Sequence, residues 1–392
     1  MGLNKESAYV EYHALEAEMR RRLWWSLVLF DTRLCEMSDF TTTNLIPTWD
    51  CKIPLNLNDF DLQQEMKAPP AAQEKSSEAL FAVMRSELGN FVRHGAFHLD
   101  FVNPALKVLT KNNNQDGYVS EGGDFVAMEK AIAHNHLRFC NPENPIHFMT
   151  IWTARGQIAK TRLLEHYSRF PRSSVPQTDA QRNGAIYHAL SMLDCDTKLM
   201  TSPLTKGYRW FTDWYFPFPG YIHLVQDLRM RPVSEHAQRT WEIMTENYEA
   251  RFRFREHYDN PLYKAFTKFV LQAWAAREKA FGKSGAPLMP PRIVSDMQGR
   301  VATKLQDAHG AGEMQFTDVF GMSPDFSMSM PVGHGNQNLL SGMGGQNFVR
   351  SEKQSMPYQH VPGQAALDFD LNDMKWTPMD WNPWYPCDWG SW

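Results

Sequence analysis

Cysteine is scarce and scattered: Cys35, Cys51, Cys140, Cys195 and Cys387 are never closer than 16 positions in a chain of 392 residues. No Cys-x-x-Cys pair exists. No Asn-x-Ser/Thr sequon and no signal-peptide pattern occur, so a reducing, intracellular setting is expected. A long apolar run is also missing. Membrane spans need about 18 uninterrupted apolar residues, and the most aromatic stretch, Tyr208 to Val225, is cut by Asp213, Pro217, Pro219 and Gly220. Positive charge is not in excess. The final 27 residues hold five Asp against Lys375, so residues 1–365 carry 39 acids and 39 bases. Phosphate binding normally leaves a basic footprint, and none is present. GxGxxG, P-loop, GxSxG and HExxH patterns are absent, as is any Asp-Asp pair. An all-α enzyme is therefore the disfavoured functional class.

What is present is aromatic. Thirteen Trp and 24 Phe require a large apolar interior, since each buried aromatic hides roughly 150–250 Å². Composition divides the chain into a helical body (1–281), a Gly/Ser/Gln/Met/Pro-rich linker (282–365) and an acidic-aromatic tail (366–392). The linker lacks sustained periodicity and cannot offset the entropy of ordering, so disorder is expected there and in the tail. Within the body, helices are predicted over Tyr12–Met37, Ser76–Val92, Asp124–Phe139, Pro145–Tyr167, Asp179–Met200, Trp210–Asp227, Ser234–His257 and Pro261–Phe281. Asp124, Asp179 and Ser234 are the expected N-caps. Along the first helix Leu23, Leu27, Phe30 and Leu34 recur at helical spacing, with Trp24 and Val28 widening the stripe expected to face the core. Glu16 and Glu18 precede Arg20 and Arg22 by four residues, a favourable pairing on a solvent face. Strand-like alternation is nearly absent, and the fold class is all-α, an irregular multi-helix domain.

The most specific segment runs Glu18-Met-Arg20-Arg21-Arg22-Leu-Trp24-Trp25, reaches Asp31 two helical turns later, and continues at Trp49 through Pro54-Leu-Asn56-Leu-Asn-Asp59. This resembles the fungal-specific transcription factor domain, the middle homology region that follows binuclear zinc clusters. Glu78 to Leu88, Tyr208 to Phe211, Arg231-Pro232 and Arg239 to Glu242 are similar to later helices of the same family. Where that family often has a Gly-Arg-Pro-like turn, this chain has Ser38-Asp-Phe40. The resemblance covers residues 2–281 and begins in mid-domain at Gly2-Leu-Asn-Lys, so the chain is expected to be N-terminally truncated. It implies a nuclear transcription regulator whose body makes dimer, coregulator or effector contacts. DNA would be read only through an N-terminal zinc cluster absent here, so no cofactor is expected in this chain.

Each candidate residue also has a bland reading. Arg20, Arg21 and Arg22 are favoured as structural ion pairs, one turning inward against a carboxylate such as Asp31, over nucleic-acid contacts. Trp24 and Trp25 read as core. His134, His136 and Cys140 are disfavoured as a metal site, because only two of them share a helical face. The aromatic cluster from Tyr208 to Tyr221 reads as core packing ahead of a small-molecule pocket. In the tail, Trp376, Trp381, Trp384, Trp389 and Trp392 are interspersed with Asp368, Asp370, Asp373, Asp380 and Asp388. That is the composition of an activation segment that anchors in coactivator grooves. The alternative is a tail that folds back on the body. For the whole chain, an activator missing its DNA-binding domain leads, and a cofactor acting by heterodimerisation is the rival.

Overall fold

A computed structural model describes residues 2–37, 45, 48–63, 65–71, 76–94, 123–170, 177–252, 261–282 and 288–309. Among the described residues there are ten α-helices, four short 3-10 turns and no strand, the all-α class expected. The helices are α1 (Ala14–Met37), α2 (Leu80–His94), α3 (Gly123–Asn135), α4 (Pro145–Arg169) and α5 (Asp179–Thr201), then α6 (Arg209–Trp214), α7 (Phe218–Met230), α8 (Ala237–Phe252), α9 (Pro261–Phe281) and α10 (Arg292–His309).

The main core lies between α4, α5 and α7–α10. Leu163, Ala189, Leu193, Leu224, Leu228, Met244, Tyr248 and Val270 are buried there, with Trp241 and Trp274 edge to face, centroids 5.6 Å apart. Small residues let the helices close up. At Gly220, where α7 crosses α5, a Cβ would lie 2.9 Å from Leu193 Cδ1 and 3.1 Å from the Ala189 carbonyl oxygen, so glycine suits this approach. A second cluster joins α1 to the turn Glu6–Tyr9 and to Leu45, Trp49, Cys51 and Ile53. A third joins α2, α3 and α4.

Four sequence expectations are corrected. The first is the boundary at residue 281. Helix α10 lies inside the expected linker, and its Ile293, Val294 and Met297 are fully buried in the main core. One short apolar stripe next to Pro290-Pro291 was outweighed by Gly-rich composition further on. The remainder of the linker, residues 310–365, and the tail, 366–392, lie outside the described residues. The second is the single helix Trp210–Asp227, which divides into α6 and α7. Pro217 is the N-cap of α7 and Pro219 occupies its first turn, the one place in a helix where a missing N–H is harmless.

The third concerns caps. Thr178, not Asp179, caps α5: its Oγ1 accepts the Gln181 N–H at 3.2 Å while the Gln181 side chain accepts the Thr178 N–H at 2.9 Å. Asp124 falls inside the first turn of α3, which starts at Gly123. Helix α8 starts at Ala237, and Ser234 Oγ is buried with no hydrogen-bond partner among the described residues. The fourth is the orientation of α1. Trp24, Trp25 and Val28 are buried, whereas Leu23, Leu27, Phe30 and Leu34 are 40–50% exposed. The helix carries two adjacent apolar stripes, and the Trp-bearing one found the partners.

Candidate functional site

The motif of α1 forms a lattice of ion pairs. Arg20 reaches Glu16 one turn earlier at 2.8 Å on the surface and lies over the Tyr12 ring. Arg21 grips Glu6 and also approaches Glu18 at 3.4 Å. Arg22 spans Glu18 at 3.4 Å and Asp59 at 2.7 Å. Glu18 is fully buried, not on the expected solvent face, and accepts the Leu55 N–H at 2.9 Å. Burial raises its pKa, outweighing the adjacent Arg22 and Arg21 charges and the Leu55 hydrogen bond. Glu6, which the sequence reading missed, also accepts the Lys52 N–H at 3.0 Å. Burial opposes its ionisation, but Arg21 and the Lys52 amide prevail and hold its pKa below the usual value.

Asp31 is not a partner of Arg20, Arg21 or Arg22. It lies nine residues beyond Arg22, roughly 13 Å along the helix axis at about 1.5 Å per residue. Its partner is Arg93 of α2, at 2.7 Å, and it also accepts the Leu45 N–H at 3.2 Å. Arg93 donates further to Thr32 Oγ1 at 2.9 Å. Trp24 and Trp25 both meet Trp49 edge to face, at 5.5 and 5.9 Å, and Trp25 Nε1 donates to the Lys52 carbonyl at 2.9 Å. Pro54 is buried, and Asn56 accepts from Ser77 Oγ at 2.7 Å. The segment 48–61 is therefore clamped between α1 and the start of α2. The clamp's arginines and carboxylates pair largely with one another, so the arrangement fixes chain geometry.

A second polar centre lies in the main core, and sequence reasoning did not find it. Asp196 of α5 receives Arg251 Nε at 2.5 Å and Asn247 Nδ2 at 2.7 Å. Asn247 also donates to the Leu193 carbonyl at 3.1 Å, and its Oδ1 accepts from Tyr221 at 2.7 Å. Arg251 donates to the Thr212 carbonyl at 3.0 Å. The buried Arg would lose its charge to desolvation, but Asp196 raises its pKa instead. Beside this centre, Trp152, Thr153, Gln157, Cys195, Phe211 and Tyr215 help to line a cavity of about 60 Å³. Ligand pockets measure roughly 300–1,000 Å³, so this space suits a few waters. Tyr221 itself is in the core.

The His134, His136 and Cys140 set does not converge. His136 Nε2 meets Glu87 at 2.8 Å, His134 meets Arg138 at 3.3 Å, and Cys140 Sγ points to the His136 carbonyl at 3.5 Å. Among the described residues no group of three His, Cys, Asp or Glu side chains could hold a metal, and no helix is long and apolar enough to cross a membrane. The tail candidates Trp376, Trp381, Trp384, Trp389, Asp368, Asp370 and Asp373 lie outside the described residues.

The clamp of α1, segment 48–61 and α2 coincides with a known family. Residues 1–86 match the fungal specific transcription factor domain. Over these 86 residues the chain is similar to that family. The fungal specific transcription factor domain thus includes every motif residue from Glu18 to Asp59, while Arg93 lies just beyond it. Over 97% of its length the chain is 48% identical to the transcriptional regulator AacuB of Aspergillus aculeatus and 43% identical to the transcriptional regulator nsrM of Aspergillus novofumigatus. It is 24% identical, again over 97%, to the aurofusarin cluster transcription factor aurR2 of Gibberella zeae. The chain spans about half the length of these relatives: 52%, 52% and 55%. No solved structure matches.

Proposed function

We propose that this chain is the helical regulatory body of a nuclear fungal transcription regulator, with the final 27 residues acting as its activation segment. The observation that carries this reading is similarity to two Aspergillus transcriptional regulators along 97% of the chain. The geometry supports a structural role for the α1 arginines, because Arg20, Arg21 and Arg22 are paired with carboxylates of the same body. DNA is read by residues outside this chain, and zinc belongs with them. In the tail, five Trp interspersed with five Asp supply apolar anchors for coactivator grooves, kept in water by the acids.

The test is a reporter assay with residues 366–392 fused to an unrelated DNA-binding domain at matched expression. The wild-type segment should activate, and replacing Trp376, Trp381 and Trp384 by Ala should abolish activity. Changing all five Asp to Asn should give a partial, salt-sensitive loss. An inert wild-type segment, or a fully active triple-Ala segment, overturns the assignment. The 392-residue chain itself should show no sequence-specific DNA complex at physiological salt, where non-specific contacts weaken to roughly 10⁻⁴–10⁻⁶ M.

A further inference from the structure

The outward face of α1 is apolar. Between Met19 and Leu34 its exposed residues are Met19, Leu23, Ser26, Leu27, Phe30 and Leu34. Ser26 is the one polar side chain, and its hydroxyl turns back to the Arg22 carbonyl at 2.8 Å. Leu23, Leu27, Phe30 and Leu34 follow the 4-3-4 spacing of a seam that receives another helix. The ridge continues onto α6. Phe30 stacks on Trp214 with centroids 6.0 Å apart and planes 9° apart, and Trp210, one turn away, is 73% exposed. Arg33 ties the two helices together by donating to the Trp214 carbonyl at 3.0 Å, so the surface is preformed.

Size and composition discriminate among occupants. With a buried aromatic hiding roughly 150–250 Å², these exposures leave on the order of 600 Å² of apolar surface in water. That is the upper end of the roughly 300–600 Å² seen for the largest patches on monomers. A face without charge suits a permanent contact better than a transient one. Paired with a second copy it would bury on the order of 1,200 Å², the floor for stable interfaces. Such a dimer must form from free chains, whereas a tethered segment acts at an effective concentration on the order of millimolar. The relatives that match 97% of this chain contain about as much sequence again beyond the match.

We propose that the ridge formed by Met19, Leu23, Leu27, Phe30, Leu34, Trp210 and Trp214 seats an apolar helix from the part of the regulator that these 392 residues do not span. The ridge is thus an internal joint of the longer polypeptide. It rests on the length of the relatives and not on the activation role proposed above, so either can fail alone.

Hydroxyl-radical footprinting tests it on intact proteins. In this chain alone, Met19, Phe30, Trp210 and Trp214 should label readily at every protein concentration. In the full-length Aspergillus aculeatus regulator the aligned side chains should label about tenfold less, the ratio between half exposure and the ~5% of a core residue. Equal labelling in the full-length relative overturns the proposal. So does protection in this chain that grows with concentration and disappears in Leu27→Asp, which would make the occupant a second copy. Position 27 is exposed, so unchanged helicity by circular dichroism verifies that the variant is folded.

Discussion

Asp196 and Arg251 show what a single buried carboxylate does in this molecule. Both side chains are under a tenth exposed, and α5, α8 and the end of α6 all converge on them. Asp196→Ala leaves an uncompensated cation in the core, which typically costs about 3–5 kcal/mol. Urea denaturation should show a loss of that size, with Asp196→Asn less severe. Arg20→Ala, at a surface pair one turn apart, should leave the urea midpoint close to the wild-type value, because solvent screens such pairs. Similar losses for the two would refute the distinction between core and surface lattice. At Gly220 the added methyl of Gly220→Ala meets Leu193 and the Ala189 carbonyl, and overpacking of this kind costs about 1–3 kcal/mol. Sequence reading identified Arg20 and Arg22 as ion-paired because Glu16 and Glu18 sit one turn away, whereas Glu6, the main partner of Arg21, lies 15 residues off and outside the motif. Asp196 and Arg251 are 55 residues apart, and nothing in the local pattern connects them.

At the scale of elements, α10 is the most informative. Its three inward residues lie in one turn, so composition hides it, yet they close the main core against α8 and α9. Ile293→Ala should destabilise the whole body by about 2–5 kcal/mol, as large-to-small changes do at fully buried sites. A denaturation midpoint unchanged from wild type would mean that α10 is not part of the cooperative unit. Long helices were legible to within a few residues because amphipathic periodicity and Pro145 or Pro261 mark their starts. The division between α6 and α7 was not, since the aromatic run continues through the prolines.

The whole body contains a set of half-buried histidines with lowered pKa values. His166 and His188 have pKa values lowered to about 4 and His223 to about 3, in each case chiefly by burial. The nearby Arg169, Arg162 and Arg231 charges add to this, as do the histidines themselves. The unfolded chain takes up protons near the ordinary His value of about 6.5, so below it the unfolded state binds more protons than the native one. Stability is therefore fully present above about pH 6.5 and declines as pH falls toward 4. Thermal denaturation at pH 7, 6 and 5 should show a falling midpoint, and His188→Leu should shrink the drop. A flat profile would refute this linkage.

The sequence by itself determined the all-α class, the placement of most helices, the Arg–Glu–Trp motif of α1 and its family, and the charge balance of the body. These depend on residues close in the chain, where 3.6-residue periodicity and one-turn pairings operate. Tertiary structure decided which face of α1 is buried. Both stripes are apolar, and only the position of Trp49 and the segment after it selects Trp24, Trp25 and Val28 over Leu23, Leu27 and Phe30. It also decided that Asp31 pairs with Arg93, that Asp196 gathers α5 and α8, and that α10 belongs to the core. Periodicity orients side chains relative to their own helix axis, but it carries no information about which distant surface that axis will meet.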